Sequence, residues 1–264
     1  MPGFLQSIQS WLHKASKATH DESHDDVYYP SPEVVDEIES LPLVKRLVQK
    51  SAVFPFRPAL VNLNDASIHD TEEYLKFPGG MAVAKESRTE DPAKWSHQLI
   101  RGPTLYGANK VEFCLQTFNE SDQVLINIVK FGSDVVGHPH VVHGGLQGAF
   151  FDDSFGTIFM LYGKGEFTGV TANLNINYRS PMRAPAVVAF VLWVDKVEGR
   201  KVFLKAEARS IPTEQKTAAV DGDNEPESKS VGERLVGKGS VLFSEATALF
   251  IKLGKEQLEK MKGN

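Results

Sequence analysis

A dense hydrophobic pattern runs through positions 143 to 162 of the chain. Its large side chains cover most faces of the helix that their spacing predicts. They are Leu146, Phe150, Phe151, Phe155, Ile158, Phe159 and Tyr162. A helix that is apolar on most sides is typical of a central element surrounded by the rest of its domain. The pattern therefore predicts a long central helix.

One stripe of this helix has a different composition. Every fourth residue along it is small or acidic, in the order Gly144, Gly148, Asp152 and Gly156. Residues at this spacing lie on one helix face. Each interior glycine costs roughly 0.5–1 kcal/mol relative to alanine, which favours close approach by another backbone or a ligand, although tight helix-to-sheet packing also explains glycine. An unpaired carboxylate is costly to bury, so Asp152 has either a partner or a chemical role.

The next segment, residues 168–179, alternates between apolar and polar positions, and this period of two predicts a strand. One face is expected to pack on the helix. The other face carries Thr171, Asn173, Asn175, Asn177 and Arg179. Asparagine is unfavourable in strands, so its amides either find partners across a neighbouring strand or subunit, or form an ordinary solvated sheet face.

Shorter patterns predict the remaining elements. Two short helices are expected to begin at Ser31 and Pro42. Strands are expected at 111–117, 124–131, 187–197, 201–209 and 235–251, with a hairpin turn at Gly199 and a bend at Gly237 and Gly239. Residues 51–101 show no sustained period and predict irregular structure. Residues 213–234 are acidic and poor in apolar side chains, which predicts a disordered insertion.

Composition narrows the class of protein. The chain has 264 residues, 41% hydrophobic content and a net charge of −5, which indicates one principal globular domain. It has no basic excess for nucleic acid. Its single cysteine excludes an internal disulfide and suits a reducing, intracellular compartment. The longest apolar run is shorter than the ~20 residues of a transmembrane helix, so no transmembrane segment is expected.

The first 20 residues contain no acid and place apolar residues on one side of a helix. This pattern fits a mitochondrial presequence, and it fits a docking helix or a membrane-surface helix equally well. The compartment is therefore mitochondrial on the first interpretation and otherwise cytoplasmic.

Two alternative chemistries find little support. His138, His140 and His143 are close in sequence, but Pro139 and the surrounding glycines favour a loop, so we expect no metal site. The chain also lacks the Gly-x-Ser-x-Gly turn of serine hydrolases.

Two motifs together resemble those of the hotdog-fold acyl-CoA thioesterases. They are the His-Gly-Gly start at His143 with Asp152 nine positions later, and the strand at 169–181. The likeness is to vertebrate mitochondrial acyl-CoA thioesterases, the phenylacetyl-CoA-pathway type and fungal thioesterase-domain proteins, over about residues 102–253. It implies an α+β hotdog fold in which an antiparallel sheet wraps a long central helix, in a domain at 102–264. The patterns before this domain predict an N-terminal helical and irregular extension at 1–101. It also implies protomers paired edge to edge with an active site across the interface.

The resemblance assigns catalytic roles by position. Asp152 matches the catalytic carboxylate, Gly144 the backbone amide that polarises the thioester carbonyl, and Thr171 the hydroxyl that holds water. His143 matches the motif histidine, whose role is mainly positional. An unpaired amide at a positive helix end suits a developing oxyanion, and a carboxylate can act as base or nucleophile. Some relatives carry asparagine six residues before the motif histidine, where this chain has Gly137.

The expected substrate sets the remaining predictions. Acyl-CoA is anionic and requires cations near the site, and Arg179 is our candidate. The acyl chain is expected beside Phe151 and Phe155, and Gly145 and Asn173 complete the predicted binding set. The resulting hypothesis is a cofactor-free acyl-CoA hydrolase that works as a homodimer or a dimer of dimers. A non-catalytic hotdog protein that binds acyl-CoA or a protein partner is the alternative, and a hotdog dehydratase lacks its Asp-x-Asn-Pro-x-His signature here.

Overall fold

The computed structural model describes residues 30–48, 57–60, 99–100, 104–164, 168–213, 230–254, 256–257 and 260, with the backbone alone at 57–60. Its helices are α1 (Pro32–Ser40), α2 (Pro42–Val48), α3 (Gly144–Tyr162) and α4 (Val231–Val236). Its strands are β1 (Arg57–Leu60), β2 (Val111–Asn119), β3 (Val124–Phe131), β4 (Val136–His138), β5 (Val141–Val142), β6 (Gly169–Tyr178), β7 (Ala186–Glu198), β8 (Lys201–Ser210) and β9 (Leu242–Lys252).

One antiparallel sheet organises the described chain. Its strand order is β1-β2-β3-β7-β8-β9-β6, and β4 and β5 form a separate pair before α3. The long helix α3 packs against β3, β6, β7, β8 and β9. The predicted α+β class, with an antiparallel sheet around a long central helix, is confirmed. Strand β6 forms one end of the sheet, and no other described strand pairs with its outer edge.

The main core lies between α3 and the sheet. Phe150, Phe151 and Phe155 of the helix are fully buried. The ring centroid of Phe150 lies 5.2 Å from that of Phe131 in an edge-to-face contact and 5.9 Å from that of Phe190 in a stacked one. Aromatic pairs at such distances stabilise a core beyond the area they bury. The phenylalanines therefore hold the helix at a defined position over the sheet.

A second core covers the outer face of β2, β3 and β7. Helices α1, α2 and α4 contribute Ile38, Leu43, Leu47 and Val236 to it, and the sheet contributes Phe113, Leu115, Ile126, Ile128 and Val191. Lys130 of β3 forms ion pairs with Glu37 of α1 and, at 3.7 Å, with Glu112 of β2. The helices of the predicted N-terminal extension thus pack directly on the sheet.

Several expected elements are confirmed. Helix α1 begins after Ser31, whose hydroxyl oxygen accepts from the Val34 N–H at 3.4 Å. The β7–β8 hairpin pairs Glu198 with Lys201, and Gly199 between them has a φ of +58°. Only glycine adopts such a conformation without steric cost.

The structure corrects the face on which Thr171 lies. The register of β6 against β9 shifts between Thr171 and Asn173, as in a bulge that inserts one extra residue. Thr171 pairs with Phe250 and Leu174 pairs with Ala248, and both partners are buried residues of the helix-side core. Thr171 therefore faces α3, and the prediction that it shares the face of the asparagines is wrong.

Two local expectations are also wrong. Residues Arg57–Leu60 were expected to be irregular and instead pair with β2 as a sheet strand. The disorder expected up to position 234 and the strand expected from 235 overlap helix α4, so the last strand begins only at Leu242. The hydroxyl oxygen of Ser230 caps α4 by accepting from the Glu233 N–H at 3.2 Å. Residues 214–229 of the predicted insertion and the first 20 residues lie outside the described residues.

Arg46 connects the outer helices to each other. Its guanidinium donates to the carbonyl oxygens of Leu235 at 3.0 Å and Val236 at 3.4 Å, at the end of α4. Burial lowers the pKa of the Arg46 guanidinium. The short helix α4 is thereby anchored to α2 as well as to the sheet.

We expect Ile38→Ala to lower the free energy of unfolding by about 2–5 kcal/mol, because a large buried side chain leaves a cavity when truncated. Ile38 is 1% exposed in the second core. Asp36→Ala is the matched control, since Asp36 is exposed on the same helix. Chemical denaturation measures both variants, and equal losses would contradict the docking of α1 on the sheet.

Candidate active site

The start of α3 leaves one backbone amide unpaired. His143 is the N-cap, and its Nδ1 accepts from the Gly145 N–H at 2.9 Å. Its carbonyl oxygen accepts from the Leu146 and Gln147 amides at 3.0 and 3.1 Å. The Gly144 N–H is therefore the amide of the first turn that has no hydrogen-bond partner among the described residues. It lies at the positive end of the helix.

The Asp152 carboxylate lies at the surface of the single chain. Among residues Gly144–Tyr162, only Gly145 and Asp152 are exposed. The Thr171 hydroxyl donates to Asp152 Oδ1 at 2.8 Å. The stripe that contains Asp152 faces the end of the sheet at β6. Within one chain Asp152 is therefore exposed, and its carboxylate has a partner in Thr171.

The small residues of the stripe have different explanations. A Cβ added to Gly144 would lie 3.1 Å from the Tyr178 hydroxyl oxygen, and one added to Gly148 would lie 3.1 Å from Ile176 Cδ1. These two glycines allow β6 to approach the helix, which is the helix-to-sheet packing alternative. A Cβ on Gly156 would meet nothing within 4 Å. Packing within the described chain does not explain Gly156.

The ring of His143 occupies the space that the side chain of an asparagine at position 137 would need. A Cβ on Gly137 would lie 2.5 Å from Cδ2 and 3.0 Å from Cγ of the His143 imidazole. The imidazole thus packs against the bare backbone of Gly137. An asparagine at position 137 and this orientation of His143 exclude each other, so the departure from the family pattern is coupled to the cap.

Two predicted binding residues lie on the other face of the sheet. Asn173 pairs with Leu249, and Arg179 donates through Nε to Glu245 Oε1 at 3.1 Å. Glu245 pairs with Asn177 on the face opposite the helix. Asn173 and Arg179 are therefore not brought together with Asp152 in one chain, whereas Gly145 is exposed beside the cap.

The two aromatic binding candidates are core residues in the single chain. Phe151 and Phe155 are fully buried. Their ring centroids lie 6.3 Å apart, and that of Phe151 lies 5.1 Å from that of Phe190. Within one chain the two rings are therefore part of the packed core and not of a surface that could bind a ligand.

Tyr178 belongs to the site and was not identified from the sequence. Its hydroxyl donates to the Gly144 carbonyl oxygen at 2.7 Å, although the residue is 54% exposed. In the alternating pattern of residues 168–179, Tyr178 falls on the apolar face, which indicated a buried aromatic residue. The exposed aromatic at the end of the strand, opposite a helix that begins with two glycines, is the signal that could have identified it.

The candidate residues thus form two separate groups in one chain. Thr171 and Asp152 meet near one end of β6, and Tyr178 and Gly144 meet at the other end. Gly144 and Asp152 are eight residues apart in α3, which separates their backbones by about 12 Å along the helix axis.

Two further observations concern the described part of the chain. It contains no group of three or more His, Cys, Asp or Glu side chains arranged to hold a metal ion. None of its helices has the length and apolar character needed to cross a membrane.

Several known proteins that are similar to this chain are named thioesterases. Residues 139–216 match the model of the family described as the Thioesterase superfamily. The chain is 31% identical over 140 residues to acyl-coenzyme A thioesterase THEM4 of Mus musculus, covering 53% of this chain and 48% of that protein. It is 28% identical over 136 residues to acyl-coenzyme A thioesterase THEM5 of Homo sapiens, covering 52% and 51%.

Among solved structures, the chain is similar to an acyl-CoA hydrolase from Staphylococcus aureus in complex with butyryl-coenzyme A. That likeness has 14% identity and a TM-score of 0.38, and it covers 52% of this chain and 70% of the other. The chain spans about half the length of the curated relatives it matches. The thioesterase resemblance inferred from the two motifs is confirmed.

We expect Gly137→Ala to displace the His143 ring and weaken the cap of α3, with a loss of about 0.5–2 kcal/mol in the free energy of unfolding. The matched test is the same substitution in a His143→Ala background, where the obstructing ring is absent. Thermal or chemical denaturation of the four proteins gives the coupling between the two positions. An equal loss in both backgrounds would contradict the contact.

Proposed function

We propose that this chain hydrolyses acyl-CoA thioesters to free carboxylic acids and CoA without a cofactor. One observation carries the proposal: a buried helix exposes a carboxylate held by a threonine hydroxyl and, at its start, an unpaired amide. A carboxylate can act as base or nucleophile in thioester hydrolysis, and a backbone amide can stabilise the oxyanion. The match of residues 139–216 to a thioesterase family supports the same conclusion.

The chemistry assigns one role to each group. Thr171 occupies Oδ1 of Asp152 and orients the carboxylate, whose other oxygen removes a proton from the attacking water. The water oxygen bonds to the thioester carbon, and the negative charge that develops on the carbonyl oxygen is stabilised by the Gly144 N–H. The C–S bond then breaks, and the proton on Asp152 passes to the leaving CoA thiolate. Direct attack by Asp152, followed by hydrolysis of the acyl-enzyme, uses the same residues.

The proposal requires two copies of the chain. A nucleophile and an oxyanion donor act on the same carbonyl group, at reacting distances near 3–3.5 Å. Within one helix, Gly144 and Asp152 are separated by about 12 Å. A second copy must therefore supply the missing partner of each group.

Strand β6 suggests how the copies pair. Its outer edge has no described partner strand, and Val170 and Tyr178 near its ends are 40% and 54% exposed. Unpaired edges of this kind are templates for pairing with another chain. Because Thr171 contacts Asp152 and Tyr178 contacts Gly144, antiparallel pairing of two β6 strands about a two-fold axis brings the Gly144 end of one copy to the Asp152 end of the other. This forms two identical sites, in a homodimer or a dimer of dimers.

The substrate's position follows from the same arrangement. The acyl chain enters between the copies along α3, towards Phe151 and Phe155, and displaces part of the aromatic core to reach them. Asn173 and Arg179 lie on the opposite sheet face, so within one chain they do not reach the reacting carbonyl. We assign them to the anionic CoA moiety only where that moiety extends around the sheet edge.

A non-catalytic acyl-CoA-binding protein is the second candidate. Gly137 favours it, since that position lacks the asparagine of some relatives and the His143 ring packs against it. Calorimetry that detects acyl-CoA binding, without thiol release in the same sample, would support this alternative over hydrolysis. The acid-free segment at 1–20 is the basis of the hypothesis that the protein acts in mitochondrial lipid metabolism.

We expect Asp152→Asn to reduce the rate of thiol release from acyl-CoA by about 10²–10⁴-fold, the usual contribution of a general base. The amide still accepts the hydrogen bond from Thr171, so the fold should be retained. Asp195→Asn is the control, because Asp195 lies in β7 and forms a surface ion pair with the partly exposed Lys205 at 2.9 Å. A variant that keeps activity within a few-fold of wild type would reject the role of Asp152.

We also expect two inactive variants to restore activity when they are mixed. Gly144→Pro removes the amide hydrogen at a position where helices accept proline and adds a side chain against Tyr178, and Asp152→Ala removes the base. After subunit exchange, mixed dimers contain one complete site, which restores about a quarter of the wild-type rate at equal concentrations.

Gly144→Ala is the matched control for this experiment, because it meets the Tyr178 ring as proline does but retains the N–H. It should be more active than Gly144→Pro by about 10²–10³-fold. No recovery of activity in a mixture that has been shown to exchange subunits would contradict a site shared between copies.

A further inference from the structure

Tyr178 and His143 hold opposite ends of one peptide group. The Tyr178 hydroxyl donates to the Gly144 carbonyl oxygen at 2.7 Å, and the Gly145 N–H donates to His143 Nδ1 at 2.9 Å. This carbonyl and this N–H belong to the same peptide unit, which is planar and rigid. Two hydrogen bonds on opposite sides of the unit therefore fix its rotation about the chain axis.

The preceding peptide unit is held at one end only. The carbonyl oxygen of His143 accepts from the amides of Leu146 and Gln147 at 3.0 and 3.1 Å. The other end of this unit is the Gly144 N–H, which has no partner in the described part of the chain. Its direction is set by the His143 carbonyl on one side and by the clamped Gly144–Gly145 peptide on the other.

This start of the helix needs external support. Two consecutive glycines have more backbone freedom than any other pair of residues, and the first turn of a helix lacks intrahelical partners for its amides. Gly137 has no side chain that could support this turn, and the His143 ring packs against its backbone. Donors to an oxyanion act well only when they are already oriented, at 2.7–3.1 Å from the developing charge.

We propose that Tyr178 is a positioning residue for hydrolysis, which orients the Gly144 amide by binding the Gly144 carbonyl. This inference rests on the proposed thioesterase function. The phenolic hydrogen is directed to the Gly144 oxygen, so Tyr178 acts through the backbone and not on the substrate. A Cβ at Gly144 would lie 3.1–3.4 Å from side-chain atoms of Tyr178. The absence of a side chain at Gly144 therefore lets the Tyr178 hydroxyl reach the Gly144 carbonyl oxygen.

The test is Tyr178→Phe, which removes the hydroxyl and retains the ring. Steady-state kinetics with acyl-CoA should show kcat reduced about tenfold, part of the 10²–10³-fold effect of losing an oxyanion donor, with KM within about threefold of wild type because the ring and the binding surface remain. Rates are compared at concentrations where both proteins sediment as the same oligomer. An unchanged kcat would overturn the proposal.

The Gly144→Pro background tests whether Tyr178 acts through the backbone at Gly144. Because this variant lacks the amide and places a side chain against Tyr178, Tyr178→Phe should reduce kcat no further there, and the two substitutions should be strongly non-additive. If Tyr178→Phe reduces kcat by the same factor in both backgrounds, Tyr178 does not act through the Gly144 amide.

Amide hydrogen exchange tests the inference independently of activity. In Tyr178→Phe, the Gly145 amide should exchange several-fold faster than in wild type, although its own acceptor, His143, is untouched, because the peptide loses the phenol hydrogen bond at its carbonyl end and keeps only the intrahelical one. Unchanged exchange at Gly145 would overturn the positioning role. Failure of the wild-type protein to release thiol would instead overturn the proposed function, and the exchange result would still decide whether Tyr178 orients this peptide.

Discussion

Two chemical groups lie far apart along one rigid helix, and this separation determines where a complete active site can form. Helix α3 carries an unpaired amide at Gly144 and a carboxylate at Asp152, eight residues apart, or about 12 Å along the axis. The helix cannot shorten, so within one chain these groups cannot act on the same carbonyl. The same stripe that exposes both groups also faces the open edge of the sheet at β6. The proposed pairing of two edges follows from this spacing.

The rest of the fold keeps the two groups where they are. Phenylalanines of α3 pack into the main core against β3 and β7, and α1, α2 and α4 cover the outer face of the same strands. At the edge, side chains of β6 bind each end of the exposed stripe, through Thr171 to Asp152 and through Tyr178 to the Gly144 carbonyl. The bulge in β6 is essential to this arrangement, since it turns Thr171 towards the helix.

Long periodic segments made much of this predictable from sequence. The helix at 144–162, the strand at 169–178 and the unusual carboxylate at Asp152 were identified from period and residue type alone. The bulge was not, because one inserted residue leaves the apolar and polar alternation almost intact while reversing the face of Thr171. Helix α4 was missed because six residues show little periodicity and follow an acidic segment. Tyr178 was missed because a strand aromatic normally indicates core, whereas here its hydroxyl binds an exposed carbonyl.

The central claim is that a complete site requires two copies of the chain. It is tested most directly by measuring the specific rate of acyl-CoA hydrolysis across a dilution series, with sedimentation velocity on the same samples. The account predicts that the rate per chain falls in parallel with the dimer fraction and vanishes in the monomer. A monomer that hydrolyses acyl-CoA at the full rate per chain would contradict it.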